Sequence, residues 1–132
     1  MSKPRRSPPL ELPAGAHVRL NLWLEDEQGR VLFGAGRLQI LEAIRAHGSL
    51  SAAAEALGMS YRGLWAKVRH SERRLGFPLV ESHAGRGPSS GTSLTAEAEA
   101  MMTRYARVQE TVTATALQAF TEAYLDRRSS GS

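Results

Sequence analysis

The stretch GSLSAAAEALGMSYRGLWAKVRHSERRLG, residues 48–76, decides how this chain reads. It predicts two short helices around a tight glycine turn, the second of them basic. Gly48 ends the preceding element, and Ser49 or Ser51 offers the side-chain oxygen that caps the next helix. In that helix Leu50, Ala53, Ala54 and Leu57 share one face, and the alanines admit a close neighbour. Gly58 closes it. Ser60 then caps a helix running from about Tyr61 to Leu75, which Gly76 and Pro78 stop.

Helix, short glycine turn, helix is the pattern in which the second helix enters the DNA major groove. At about 100° per residue, Tyr61, Leu64, Val68 and Leu75 gather on one side, read as the core face. Arg62, Ala66, Arg69 and Arg73 gather about 140° away. One small residue among three arginines makes a stripe that can approach DNA closely. Arginine suits guanine edges because its planar fork pairs with two acceptors at once. Lys67 lies off the stripe and fits a phosphate better than a base. Trp65 falls on the border between the faces, a candidate for either, with packing favoured.

The whole-chain totals agree. At 132 residues the chain is one domain plus tails, and 42% hydrophobic with 23% charged residues is ordinary for a soluble domain. The formal charge is +4. Residues 60–90 carry Arg62, Lys67, Arg69, Arg73, Arg74 and Arg86 against Glu72 and Glu81, so the entire excess sits on the basic helix and the segment after it. With no cysteine, disulfides, thiolate zinc sites and cysteine nucleophiles are excluded. No apolar run nears the ~20 residues of a membrane span, which points to a cytoplasmic protein.

Outward from the central stretch, residues 1–16 carry Lys3, Arg5, Arg6 and four prolines and read as a disordered basic arm. From His17 to Glu25 the pattern alternates, with Val18, Leu20, Leu22 and Leu24 on one face, predicting a half-buried strand. Asp26–Arg30, with Gly29, reads as a turn into a second strand, Val31–Phe33. This hairpin could pack on the helices or pair with a partner subunit. Gly34 and Gly36 lead into a helix over Arg37–His47 whose apolar side is Leu38, Ile40, Leu41 and Ile44. After the central stretch, Leu79–Ser82, the loop AGRGPSSG (84–91) and Thr92–Leu94 read as a β-wing, with Arg86 at its tip set for a phosphate or the minor groove.

Thr95 caps the last element, predicted to run to about Arg128. Ala98, Met101, Tyr105, Val108, Val112, Thr115 or Ala116, Ala119 and Ala123 recur at steps of four and three, the spacing of a helix–helix seam, read as a homodimer interface. The β-branched run Thr111–Thr115 is where it could bend or break. Residues 129–132 read as a disordered tail. The expected fold is thus mainly α with small β: an N-terminal hairpin and winged helix-turn-helix over 17–94, and a long dimerisation helix over 95–128.

Catalytic chemistry has little to work with. Two aspartates, Asp26 and Asp126, and four scattered histidines, His17, His47, His70 and His83, make neither a catalytic constellation nor a metal-ligand spacing. The glycine loop lacks the Gly-Lys-Ser/Thr ending of a nucleotide-binding loop. No enzyme activity, cofactor or metal is expected.

The strand His17–Glu25, HGSLSAAAEALGMSYRGLWAKV (47–68), Leu79-Val80-Glu81, the glycine loop and Leu94-Thr95 together resemble the N-terminal DNA-binding domain of ModE-type molybdate-responsive regulators. That winged helix-turn-helix is related to the LysR type. The run Ser60-Tyr61-Arg62 with Trp65, and the wing leading into Leu94-Thr95, are the more family-specific parts. The resemblance implies that Tyr61, Arg62 and Trp65 open the recognition helix and that the last helix joins a homodimer. ModE regulators also carry C-terminal molybdate-binding domains, with no counterpart in these 132 residues, so molybdate sensing is not carried over. The alternatives are a constitutive regulator or one that depends on a separate oxyanion-binding partner. The expected DNA-binding set is Ser60, Tyr61, Arg62, Trp65, Lys67, Arg69, Arg73 and Arg86, acting on a roughly palindromic duplex operator. The competing expectation is an oxyanion-sensing or protein-interaction module without specific DNA binding.

Overall fold

A computed structural model describes residues 7–83 and 91–125. Its elements are β1 (Trp23–Glu25), β2 (Val31–Gly34), α1 (Ala35–His47), α2 (Leu50–Leu57), α3 (Tyr61–Leu75), β3 (Val80–His83), β4 (Gly91–Leu94) and α4 (Ala96–Phe120), then a π-helical turn at Thr121–Leu125. The chain divides into two compact units, Leu22–Arg107 on one hand and Met1–Asn21 with Val108–Ser132 on the other.

In the first unit the helix ends lie where local chemistry puts them. Gly48, Gly58 and Gly76 each take the left-handed conformation that closes a helix, with φ of 72°, 66° and 85°. Ser49, rather than Ser51, caps α2 by accepting from the Ala52 N–H, and Ser60 caps α3 by accepting from the Gly63 N–H. α1 starts two residues earlier than expected, at Ala35, taking Gly36 into its first turn.

The core is Phe33 from β2, Ile40, Leu41 and Ile44 from α1, Leu50, Ala53 and Ala54 from α2, Leu64 and Val68 from α3, and Leu79 before β3. Ala98, Met102 and Tyr105 of α4 complete it. The Tyr105 ring meets Phe33 edge-on with centroids 5.2 Å apart, and its hydroxyl donates to the Leu22 carbonyl at 2.9 Å.

Three expectations need correction. The first strand covers Trp23–Glu25, not His17–Glu25, and residues 17–22 form neither helix nor strand. An extended segment becomes a strand only where a neighbour takes its hydrogen bonds, and β2 is four residues long. Leu24, assigned to the buried face, is exposed. Tyr61 is 49% exposed and lies outside the core, which α3 enters only at Leu64. The seam proposed along the last helix is not uniform, because Ala98 and Tyr105 are buried in the chain's own core and so cannot serve a partner. At the next turn Met102, rather than Met101, is the buried methionine.

β3 and β4 pair antiparallel, Val80 opposite Leu94 through His83 opposite Gly91, as the stem of the wing. The stem is tied down through β4. The Thr92 N–H donates to the Gly48 carbonyl, and Gly91 approaches the same carbonyl so closely that a Cβ would sit 2.6 Å from it. Thr95 Oγ1 donates to the Pro78 carbonyl and accepts from the Ala98 N–H, capping α4 as expected.

In the second unit, residues 7–21 contain a turn at Gly15 but no regular element. The helix continues unbroken through Thr111–Thr115, where Thr115 Oγ1 donates back to the Thr111 carbonyl. It gives way to the π-helical turn after Phe120, and residues 126–128 of the predicted helix lie outside the described residues. Val108 and Val112 are exposed at 44% and 39%.

Candidate nucleic-acid interface

α3 presents two opposed surfaces. Leu64 and Val68 are fully buried and Leu75 packs at the core's edge, while Arg62, Ala66, Arg69 and Arg73 are all exposed. Ser60, also exposed, spends its hydroxyl on the cap, so its contribution is to fix where α3 begins. Gly63 is part of the same device: a Cβ there would come within 2.9 Å of Ser60 Oγ.

Trp65 resolves into an intermediate position. Its ring is half-buried against the core cluster, and the Arg69 guanidinium lies 4.5 Å from the ring centroid. Arg69 also donates to Glu72 Oε1 at 3.3 Å. These two interactions hold the guanidinium before any ligand arrives. Arg62 and Arg73 pair with no carboxylate among the described residues. A shallow concavity of about 430 Å³ lined by Arg69, Glu72, Arg73 and Pro78 lies where α3 meets the start of the wing.

Glu72 is the site residue that sequence reasoning missed. Its other oxygen, Oε2, accepts from the Leu79 N–H at 2.7 Å and, less well, from the Val80 N–H at 3.4 Å. One carboxylate thus couples an arginine of the stripe to the backbone that opens the wing. The only sequence signal was an acid within a run of cations. Arg86 and the rest of the loop tip fall outside the described residues. Lys67 is exposed on the flank of α3, apart from the stripe.

Among the described residues no group of three His, Asp or Glu side chains is placed to hold a metal ion, and no helix is long and apolar enough to cross a membrane.

A capped helix with an arginine stripe, braced by two shorter helices and followed by a two-stranded stem, defines a winged helix-turn-helix DNA-binding domain. Residues 35–99 match the family model described as bacterial regulatory helix-turn-helix protein, lysR family. That segment is similar to the DNA-binding module of LysR-type regulators.

The chain is similar to the molybdenum-pterin-binding protein MopB of Rhodobacter capsulatus, 34% identical over 76 residues that cover 58% of this chain and 28% of that protein. Molybdenum-pterin-binding protein MopA of the same organism is 29% identical over 80 residues, covering 61% and 30%. The chain therefore spans less than a third of the length of these curated relatives. The crystal structure of a BenM_DBD/benA site 1 DNA complex matches with a TM-score of 0.51 at 18% identity, over 71% of this chain and 100% of that one, a likeness of fold.

Proposed function

We propose that the protein acts as a homodimer that binds a roughly palindromic operator, with α3 of each subunit in the major groove. The observation that carries this reading is the exposed stripe Arg62, Ala66, Arg69 and Arg73 on a helix whose other side is locked in the core. In this reading Arg62 and Arg69 read base edges, with Arg73 further along the same face. Tyr61 and Lys67 hold the backbone, and Arg86 reaches out from the wing. Trp65 contributes by supporting Arg69. Val108 and Val112, exposed on a helix with seam spacing, form the dimer contact together with the residues that follow at the same spacing. Two-fold symmetry then spaces the half-sites by about 34 Å or a multiple.

The similarity to two proteins named for molybdenum-pterin binding, together with the ModE-like motifs, supports a role in molybdenum- or oxyanion-related gene regulation. A separate oxyanion-binding partner is the accompanying proposal for the signal.

Selection of bound sequences from a random duplex pool tests the reading, and an enriched palindrome is the expected outcome. Arg62→Ala then weakens operator binding by about 1–3 kcal/mol and relaxes one base position. Equal losses on operator and random DNA would remove Arg62 from base readout. Calorimetry with molybdate, tungstate and sulfate on the isolated chain tests the competing oxyanion module, and heat from any of them favours it.

A further inference from the structure

A second set of basic residues assembles away from the stripe, from α1 and α3. Arg37, in the first turns of α1, donates through Nε to Ser71 Oγ of α3 at 2.7 Å. Arg74, near the end of α3, reaches the hairpin and donates to the Val31 carbonyl at 2.9 Å. Lys67 and Arg37 line one groove of about 340 Å³, with Gln39 and Met59 among its other walls. On α3 itself Lys67, His70 and Arg74 share one flank, about 90° around the helix from the stripe.

Among the described residues no carboxylate pairs with any of these four. The described ion pairs are Arg30–Asp26, Arg45–Glu99 and Arg69–Glu72. The crowding of charge is felt by its members. The Arg74 charge, then burial, then Arg73, Arg37 and Arg30 hold His70 below its ordinary pKa, and burial followed by Arg74 lowers that of Arg37. Like charges gathered without a counter-charge repel one another, and an anion laid across them relieves that repulsion. Arg73 of the stripe is thus among the charges that hold the His70 pKa down.

We propose that Arg37, Lys67, His70 and Arg74 form a track for the phosphodiester backbone of DNA beside the groove that α3 reads. The proposal rests on α3 being the recognition helix. A strip of three cations drawn from two helices, with His70 beside them, matches a polyanion carrying about one charge per 1.7 Å of duplex better than it matches one small ion. Cations that meet phosphates in this way position the protein and add affinity for any sequence, leaving discrimination to the stripe.

The test is the slope of log binding constant against log salt, for the full chain on its selected operator and on a random duplex. In Arg37→Gln/Arg74→Gln the slope falls by about 1.8, roughly 0.9 for each phosphate no longer neutralised, and affinity drops by the same factor on both duplexes. Arg37→Lys/Arg74→Lys keeps both charges, gives up the guanidinium bonds to Ser71 and Val31, and retains the wild-type slope. A wild-type slope in the glutamine pair, or an equal fall in the lysine pair, overturns the track. Arg62→Ala, run beside them, separates the two readings. If it weakens operator binding while the glutamine pair changes nothing, the recognition helix stands and the track fails. If it changes nothing while the glutamine pair flattens the slope, the track stands and the assignment of base reading to Arg62 fails. A wild-type chain that binds neither duplex overturns both.

Discussion

On α3 the apolar stripe of Leu64, Val68 and Leu75 is covered by the chain's own core, and the arginines on the far side are left to solvent. On α4 a similar periodicity divides. Ala98, Met102 and Tyr105 are buried, while Val108, Val112 and Leu117 are exposed, the last at 56%. Periodicity reports that a helix has an apolar side; it does not report what covers that side. For α3 the cover comes from segments adjacent in sequence, joined by turns whose glycines and caps dictate the path. For α4 the cover is a strand about seventy residues earlier for one stretch, and in our proposal a second subunit for the next.

Substitution along α4 gives the largest expected effect and the sharpest way to break this comparison. Tyr105→Ala removes a buried ring and its bond to Leu22, and costs about 3–5 kcal/mol in urea unfolding. Val112→Glu, on the exposed stretch, leaves unfolding at low protein concentration within about 0.5 kcal/mol of wild type but shifts sedimentation toward monomer. A comparable loss of stability in both variants would mean that the two stretches do not differ as described.

Glu72 sharpens the contrast on the α3 side, because it ties the stripe to the wing. Glu72→Ala leaves the Leu79 N–H without its partner and costs about 1–3 kcal/mol in thermal unfolding. Glu72→Gln keeps an acceptor for that N–H while removing the charge that holds Arg69. It should lose less stability and, in our proposal, shift the base preference that Arg69 sets. If glutamine costs as much as alanine, the charge rather than the acceptor holds the wing.

The smallest expected effect is a matter of sign at His70. It is faced by Arg73 and Arg74 on its own helix, by Arg37 from α1 and by Arg30 from the hairpin turn, Arg30 being paired with Asp26. Its pKa in the folded chain therefore lies below the ordinary value of about 6.5. The unfolded chain takes up that proton first, so stability falls as pH drops from about 6.5 through the folded value. A phosphate on the flank offsets the neighbouring cations and raises the pKa, so DNA affinity rises over the same fall in pH. His70→Gln removes both trends, read by thermal melts and by anisotropy titrations at about pH 7 and about pH 5.5, either side of the ordinary histidine value. An unchanged affinity slope in the variant would assign that linkage to another histidine.

The helix-turn-helix was legible because its information is local. Ser49, Ser60, Gly48, Gly58 and Gly76 act on backbone groups within four residues, so α2 and α3 begin and end where their caps stand. The arginine stripe was equally legible, since side-chain direction on a helix follows from position alone. The first strand was overread because alternation over His17–Glu25 is only permission to be a strand, and pairing with four-residue β2 decides the length actually formed. The division of α4, the bond from Glu72 to Leu79, and the meeting of Arg37, Lys67, His70 and Arg74 all depend on how separate elements come together. No spacing rule carries such information. By itself the sequence determined the local turns, the caps and the faces of each helix, because those forces act over a few residues. Which faces are covered, and which charges become neighbours, was decided only when the elements packed, because burial and Coulomb interactions depend on distance in space and not along the chain.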